Sequence, residues 1–268
     1  METGIDAALE QRGGFHLCLS ERELDARFAL VARHDTGSDA VAMLDRAGVM
    51  TLLPGIGPDV AGASFCAADG HVNPLQVLRA LHAAFALRGG SILRERSVRS
   101  VTSERGRVVL TTATGAIGAG RVVLAAGLGN AALAPQLGLF APVRCRSRAC
   151  GRSTQGRCLP ATGRRTAQAR THRRACCPSS PRAVRAMPRL AAARVVRCRA
   201  AARVLAPDRY PIYQQSDTAP GAFVATCHSG VTLAAVHALD LAPQIATGML
   251  AAAMLPFSAR RFGAVAPS

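Results

Sequence analysis

The chain has 268 residues and a formal net charge of +17, from 33 basic and 16 acidic side chains. That length holds one large domain or two small ones with a hydrophobic core, and every apolar run is broken by Arg, Asp, Gly or Pro before it could span a bilayer. The N-terminus, Met1-Glu-Thr-Gly-Ile-Asp6, lacks the basic and apolar regions of a signal peptide, so a cytoplasmic protein is expected.

Gly13-Gly-Phe-His-Leu-Cys-Leu-Ser20 reads as a strand after a Gly-Gly turn. Ser20-Glu-Arg-Glu23 has the S-x-x-E form of a capping box, in which a hydroxyl and a carboxylate satisfy free N–H groups of a first helical turn. The helix it starts carries Leu24, Phe28 and Val31 on one face. Val41, Met43 and Leu44 predict a second helix over Asp39–Ala47. Leu53-Pro-Gly-Ile-Gly-Pro-Asp59 is a loop. Val60–Ala67 is strand-like, Asp69-Gly70 turns, and Asn73-Pro74 starts a helix to Leu87 with Leu75, Leu78, Leu81 and Phe85 on one face. Gly89-Gly90 ends it. Strand candidates follow at Ser91–Leu93 with Val98 and Val101 beyond, at Arg107–Thr112, and at Arg121-Val-Val-Leu-Ala-Ala126. The last is the unbroken apolar run of a fully buried parallel strand. It ends in Gly127-Leu-Gly-Asn-Ala-Ala132, where a helix can begin. Strands alternating with helices make an α/β chain with crossovers.

At Arg144 the pattern stops. The chain has no lysine, and 17 of its arginines lie between Arg144 and Arg203, where there is no Asp or Glu. The remaining 16 arginines (33 less 17) equal the 16 acids, so the rest of the chain is neutral. From Arg144 to Pro181 the only residue among Val, Ile, Leu, Met and Phe is Leu159. Such a segment cannot fill a core, and disorder is expected. Order resumes around Ala183, where Val184, Met187 and Leu190 suggest a helix before the extended Val195-Val196. Arg203-Val-Leu-Ala-Pro-Asp-Arg-Tyr-Pro-Ile-Tyr213 reads as strand, turn, strand. Ala222–Ala225 is a short buried strand, broken by Ser229-Gly230. From Val231 to about Leu250, Leu233, Val236, Leu239 and Ile245 recur at helical spacing, with Pro243 as a kink or stop.

The candidate sites each have a plainer alternative. Gly127-Leu-Gly-Asn-Ala-Ala132 fits G-x-G-x-x-A after a strand, but a dinucleotide motif expects an acid about 20 residues on, and none occurs before Asp208. An ordinary tight turn explains it equally. Cys145, Cys150, Cys158, Cys176 and Cys177 with His172 could suggest zinc, yet their spacings do not repeat the short C-x₂₋₄-C pairs of zinc ribbons. An Arg-rich nucleic-acid arm would interleave aromatics, and none lies between Arg144 and Arg209. A third reading fits the Ala-, Arg- and Gly-rich, lysine-free composition: residues 144–181 are a frameshifted stretch of GC-rich coding sequence, bounded by two compensating indels. Reading the gene in its other frames tests it. His228 is a structural histidine or a catalyst. Cys227 is a packed side chain or a nucleophile. Arg203 ends a strand before a Pro-Asp turn, as a carboxylate-binding cation or a surface arginine.

The blocks Gly13–Leu24, Ala68-Asp-Gly-His-Val-Asn-Pro74, Arg121–Asn130, Arg203–Tyr213 and Cys227–Leu233, in this order, resemble the D-amino-acid-oxidase-type (DAO family) FAD-dependent oxidoreductases, such as glycine oxidases and D-amino-acid dehydrogenases. The resemblance implies an FAD/NAD(P)-binding, Rossmann-like α/β fold with a mixed-sheet substrate domain. It implies FAD as cofactor, with Val98 at the adenine, Ala125, Ala126 and Gly127 at the phosphate and ribitol side, and Ser229, Gly230, Val231, Thr232 and Leu233 at the isoalloxazine ring. Arg203 would grip the substrate carboxylate. The reaction implied is oxidation of a small amine or amino acid by hydride transfer to flavin; no metal, nucleic acid or transmembrane segment is expected. Family members open with a βαβ unit bearing G-x-G-x-x-G, which is not found here, so an N-terminally truncated, incomplete fold is expected. Residues 1–143 and 182–268 then form parts of one oxidoreductase domain, with 144–181 between them. The family's turn usually reads Asp-Gly, where this chain has Asp208-Arg209. Two alternatives stay open: a non-catalytic, frameshifted remnant of such an enzyme, and an Arg-rich nucleic-acid- or zinc-binding protein.

Overall fold

A computed structural model describes residues 3–34, 41–147, 179–193 and 202–263. The chain divides into two compact units, Met1–Leu93 with Thr171–Cys198 and Arg94–Arg170 with Arg199–Ser268. Most of the Arg- and Cys-rich stretch, residues 148–178, lies outside the described residues, and so does the expected extended piece at Val195-Val196.

The first unit begins with β1 (Gly14–Cys18) and α1 (Glu21–His34). The capping box forms in altered style. Ser20 Oγ accepts from Glu23 N at 3.3 Å, while Glu23 Oε2 reaches back one residue further and accepts from Leu19 N at 2.8 Å. The expected helix over Asp39–Ala47 is instead a strand followed by a helix: β2 (Val41–Asp45) and α2 (Arg46–Leu52). Five residues of mixed apolar pattern cannot choose between helix and strand locally. Pairing decides, because β2 lies antiparallel to β3 (Gly62–Cys66), which also pairs with β1. Asp45 then caps α2, accepting from Gly48 N at 2.8 Å. Arg46 donates to the carbonyls of Gly57 (2.7 Å) and Val60 (2.9 Å), which fixes the intervening loop.

Helix α3 (Pro74–Leu87) follows as expected, capped by Asn73 Oδ1 with Leu75 N at 3.1 Å and Gln76 N at 3.3 Å. Its apolar face is not a core face here: Leu75, Leu78, Leu81 and Phe85 are exposed, and no residue of α3 is buried.

In the second unit, β4 (Val98–Glu104), β5 (Arg107–Thr112) and β6 (Gly115–Ala119) make an antiparallel meander. Ser91–Leu93, expected as a strand, has no regular structure. The glycine-rich β6 was not foreseen, because Gly-Ala-Ile-Gly-Ala has almost no side chain with which to signal a strand. Then come β7 (Val122–Leu124), a 3₁₀ turn over Gly127–Gly129 and α4 (Asn130–Leu133). Arg144–Ser147, at the edge of the stretch expected to be disordered, form β8. At the other edge, α5 (Ser179–Ala186) belongs to the first unit, where Ala186 and Met187 pack on the cluster of Leu19, Val49, Ile56, Val60 and Ala63.

Strand β9 (Ala202–Leu205) pairs antiparallel with β8. Strands β10 (Ile212–Gln215) and β11 (Ala222–Thr226) are antiparallel, and β11 runs parallel to β7, giving a mixed sheet in the order β10-β11-β7. Strand β7 is not buried on both faces: Val122 and Leu124 point into the core, while Val123 is 39% exposed. The core of this unit joins Val101, Val108, Val122, Leu124, Leu137, Ile212 and Val224. A helix runs from Ala234 to Thr247, with a π stretch over Val236–Leu241 and then α6 (Ala242–Thr247). Pro243 sits in the first turn of α6, so it marks the change of helix type. Among the described residues, no single helix is long and apolar enough to cross a membrane.

Candidate functional site

Strands β7 and β11 run side by side, with Val122, Val123 and Leu124 opposite Ala222, Phe223 and Val224. In open α/β sheets, ligands bind in the crevice beyond the carboxyl ends of parallel strands. After β7 the chain turns through Ala125, Ala126 and Gly127. Gly127 has φ +60°, and a β-carbon there would meet Val204 Cγ2 at 3.3 Å. Glycine takes that left-handed conformation without steric cost and lets β9 approach.

Asn130 fastens this turn. Its side chain is fully buried; Oδ1 accepts from Ala126 N and Nδ2 donates to Leu124 O, both at 3.0 Å. The amide thus satisfies two backbone groups that the end of a strand leaves unpaired.

After β11, Cys227–Gly230 lead into a turn over residues 231–233. Leu233 N donates to Ser229 O at 3.0 Å, and His237 N donates to Leu233 O at 2.9 Å. A cavity of about 320 Å³ lies at the two strand ends. Ala125 and Gly127 line it after β7, Ala225 and Thr226 from β11, Cys227 just after it, and His237 and Leu241 from the following helix. A second cavity of about 330 Å³ lies between Tyr213–Asp217 and Leu250–Arg260; none of the expected site residues lines it.

Cys227 and His237, which line the first cavity, meet the side chain of Tyr213, which lines the second. The Tyr213 hydroxyl and His237 Nε2 are 2.7 Å apart, and Cys227 Sγ is 3.9 Å from the same nitrogen. The Tyr213 and His237 rings meet edge to face, with centroids 5.6 Å apart. Burial pushes the Tyr213 hydroxyl up to about 12, and the Cys227 thiol adds to that shift. Burial also raises the Cys227 thiol and lowers His237. Each shift favours the neutral form of its group, and the Tyr213 hydroxyl and His237 Nε2 share one hydrogen bond whose donor is set by the imidazole tautomer.

The expected site residues fall into three groups. Ala125 and Gly127 line the cavity with Ala126 between them, and Ser229, Gly230, Val231, Thr232 and Leu233 form the turn leading into the helix that carries His237. Arg203 is on β9, exposed, next to the Val204 that approaches Gly127; it does not line the cavity. His228 nearby is held below its ordinary value by burial and then by the charges of Arg203 and Arg209. Val98 starts β4 in the separate meander and also does not line the cavity. Sequence reasoning missed Asn130, Tyr213 and His237 as site residues. His237 lies one helical turn beyond Leu233, and that spacing was the only available signal. Among the described residues, no group of three or more His, Cys, Asp or Glu forms a metal site.

Comparison with known proteins decides the family. The model of FAD dependent oxidoreductases (DAO) matches residues 1–150. This chain belongs to that family. FAD is the cofactor of the DAO family. The chain is 37% identical to one of the subunits of the opine oxidase of Agrobacterium tumefaciens (strain Ach5), over 98% of this chain and 77% of that protein. It is 32% identical to glycine oxidase of Bacillus licheniformis over 53% of this chain and 38% of that protein. The crystal structure of glycine oxidase from Geobacillus kaustophilus superposes with a TM-score of 0.81 at 24% identity, covering 96% of this chain and 76% of that one. That structure shares the α/β fold of this chain, whose sheets are mixed and antiparallel.

The cavity lining suits part of such a cofactor. Alanine and glycine at the strand ends let backbone approach a flat ring or a polyol chain closely. Among the described residues no cationic side chain lines the cavity, and α4, with four residues, is too short to add much of a helix dipole for a pyrophosphate.

Proposed function

We propose that this DAO-family chain is an FAD-dependent oxidoreductase that acts on a small amine or amino acid carrying a carboxylate. The observation that carries this reading is the cavity where β7 and β11 end together, lined by small residues, in a chain of this family. FAD, when bound, supplies an electron-accepting ring that takes a hydride from the substrate carbon bearing nitrogen.

In this reading, Ala125, Ala126 and Gly127 present backbone to the ribitol and phosphate side, and the turn Ser229–Leu233 presents backbone to the ring. Val98 presents backbone to the adenine. Arg203 supplies a fixed planar cation for the substrate carboxylate, and its exposure leaves it accessible. Residues 1–143 and 182–268 form one oxidoreductase domain, interrupted by 144–181. The relatives' names, opine oxidase and glycine oxidase, favour a carboxylate-bearing amine as substrate.

The test is direct. Purified protein titrated with FAD is expected to quench flavin fluorescence, and anaerobic addition of an opine or of glycine is expected to bleach the flavin absorbance. Arg203→Ala is expected to raise KM about tenfold or more, as for loss of a charge-assisted hydrogen bond. A preparation that stays colourless after added FAD overturns the reading and favours a non-catalytic relative.

A further inference from the structure

We infer that Tyr213 and His237 are a positioning pair for the turn Ser229–Leu233, and this inference rests on the proposed placing of that turn against the flavin. The bonds around it form a closed ring. Tyr213 is opposite Ala225 in the β10–β11 ladder. Strand β11 leads into the turn, where Leu233 N is tied to Ser229 O. Leu233 O is tied to His237 N, and the His237 ring returns to the Tyr213 hydroxyl at 2.7 Å. The turn is thus held at its start by the strand and at its end by a side-chain bond to the neighbouring strand.

The helix geometry serves this ring. His237 lies in the π stretch Val236–Leu241. A π turn is rare, recurs at functional sites and shifts the side-chain register relative to an α-helix. Here that register brings His237 Nε2 to the Tyr213 hydroxyl and to the cavity wall.

The pair is also chemically self-contained. Tyr213 is 2% exposed, and its hydroxyl has its hydrogen-bond partner in His237. Cys227 Sγ, at 3.9 Å, is a weak second partner for the imidazole. Removing His237 leaves the buried Tyr213 hydroxyl without its bond, and removing Tyr213 leaves the half-buried His237 with only the weak Cys227 contact, so either change loosens the end of the turn. Tyr213 does not line the cavity and His237 stands at its wall; in this account both act through the backbone of residues 229–233.

The experiment uses the full-length chain with Tyr213→Phe, His237→Leu, His237→Gln and the double variant Tyr213→Phe/His237→Leu. Amide hydrogen exchange without FAD is the first readout. The amides of Leu233, Ala234 and His237 are expected to exchange about tenfold faster in Tyr213→Phe and His237→Leu. The double variant is expected to go no further, because the two residues act as one unit. His237→Gln, whose amide oxygen can accept from the Tyr213 hydroxyl, is expected to recover protection. FAD affinity, measured by fluorescence quenching, is expected to follow the same order. Wild-type exchange at these amides in Tyr213→Phe overturns the inference, and so does faster exchange spread evenly over the β10–β11–β7 sheet, the mark of an ordinary core hydrogen bond. Exchange is measured without cofactor, so a wild-type chain that fails to bind FAD would refute the proposed function while leaving the positioning result readable.

Discussion

Arg209 has φ +71° in the turn between β9 and β10. This is the left-handed region, where a side chain with a β-carbon is strained. Two contacts hold the turn in place. Asp208 Oδ1 accepts from Tyr210 N at 3.0 Å, and the Asp208 carboxylate pairs with Arg261 at 2.7 and 3.1 Å. The Arg261 guanidinium, helped by the Tyr210 bond and opposed by burial, holds the Asp208 carboxyl below its ordinary value. Arg209→Gly is expected to raise stability by about 1 kcal/mol, read as a higher Tm; a lower Tm would show that the arginine makes compensating contacts. The sequence pointed at this residue, because Asp-Arg stands where a turn prefers Asp-Gly. It did not point at Asn130, since a buried asparagine looks like any helix-start asparagine until its partners are known. Asn130→Leu leaves Ala126 N and Leu124 O without partners and is expected to cost about 2–4 kcal/mol in a denaturant titration.

At the scale of elements, β2 and α5 teach most. The β2 segment was unreadable locally, since only its pairing with β3 separates strand from helix. The meander strands β4 and β5, helix α3 and strand β11 were legible, because each has a strong period or a clear cap. Helix α5 packs on the loop before β3: Gly57 N donates to Ala186 O at 2.8 Å, and Arg185 pairs with Asp59 at 2.6 Å. A β-carbon on Gly57 would overlap the Arg185 carbonyl oxygen. Gly57→Ala is therefore expected to destabilise the first unit by about 1–3 kcal/mol, and an unchanged melting curve would contradict the packing.

Arg182 on α5 also pairs with Glu23 on α1, at 2.7 and 2.9 Å. The bond from Arg182, then that from Leu19 N, lowers the Glu23 carboxyl from 4.5 to about 2. A carboxyl lowered on folding adds stability that is complete above its unfolded value and is lost as pH falls through the folded one. Stability is expected to fall between about pH 4.5 and 2, and Arg182→Ala should flatten that fall without altering the curve near pH 7. Both side chains are about half exposed, so the effect is small and fades with added salt.

For the whole molecule, family and fold class were readable from ordered blocks that are individually ordinary. The site was readable only in part. Backbone positions such as Gly127 and Ser229–Leu233 come with their turns, whereas Tyr213 and His237 are 24 residues apart and meet only through the β10–β11 hairpin and the helix after it. The charge imbalance belongs to residues 144–203. The frameshift reading of 144–181 leads to a further expectation: another frame of the same gene should encode an apolar, strand-patterned segment with acidic residues. Translating that locus in all frames decides it.

One consequence follows from the position of β7 in its sheet. It pairs with β11 on one side only, so among the described residues no strand pairs with its other side, next to the half-exposed Val123. An edge of this kind is adhesive toward any extended chain, including another copy of itself. The working concentration of the purified protein should therefore be limited by filament-like self-association, visible as light scattering that climbs with concentration. Val123→Lys places a charge on that edge and is expected to hold scattering low at concentrations where the parent clouds.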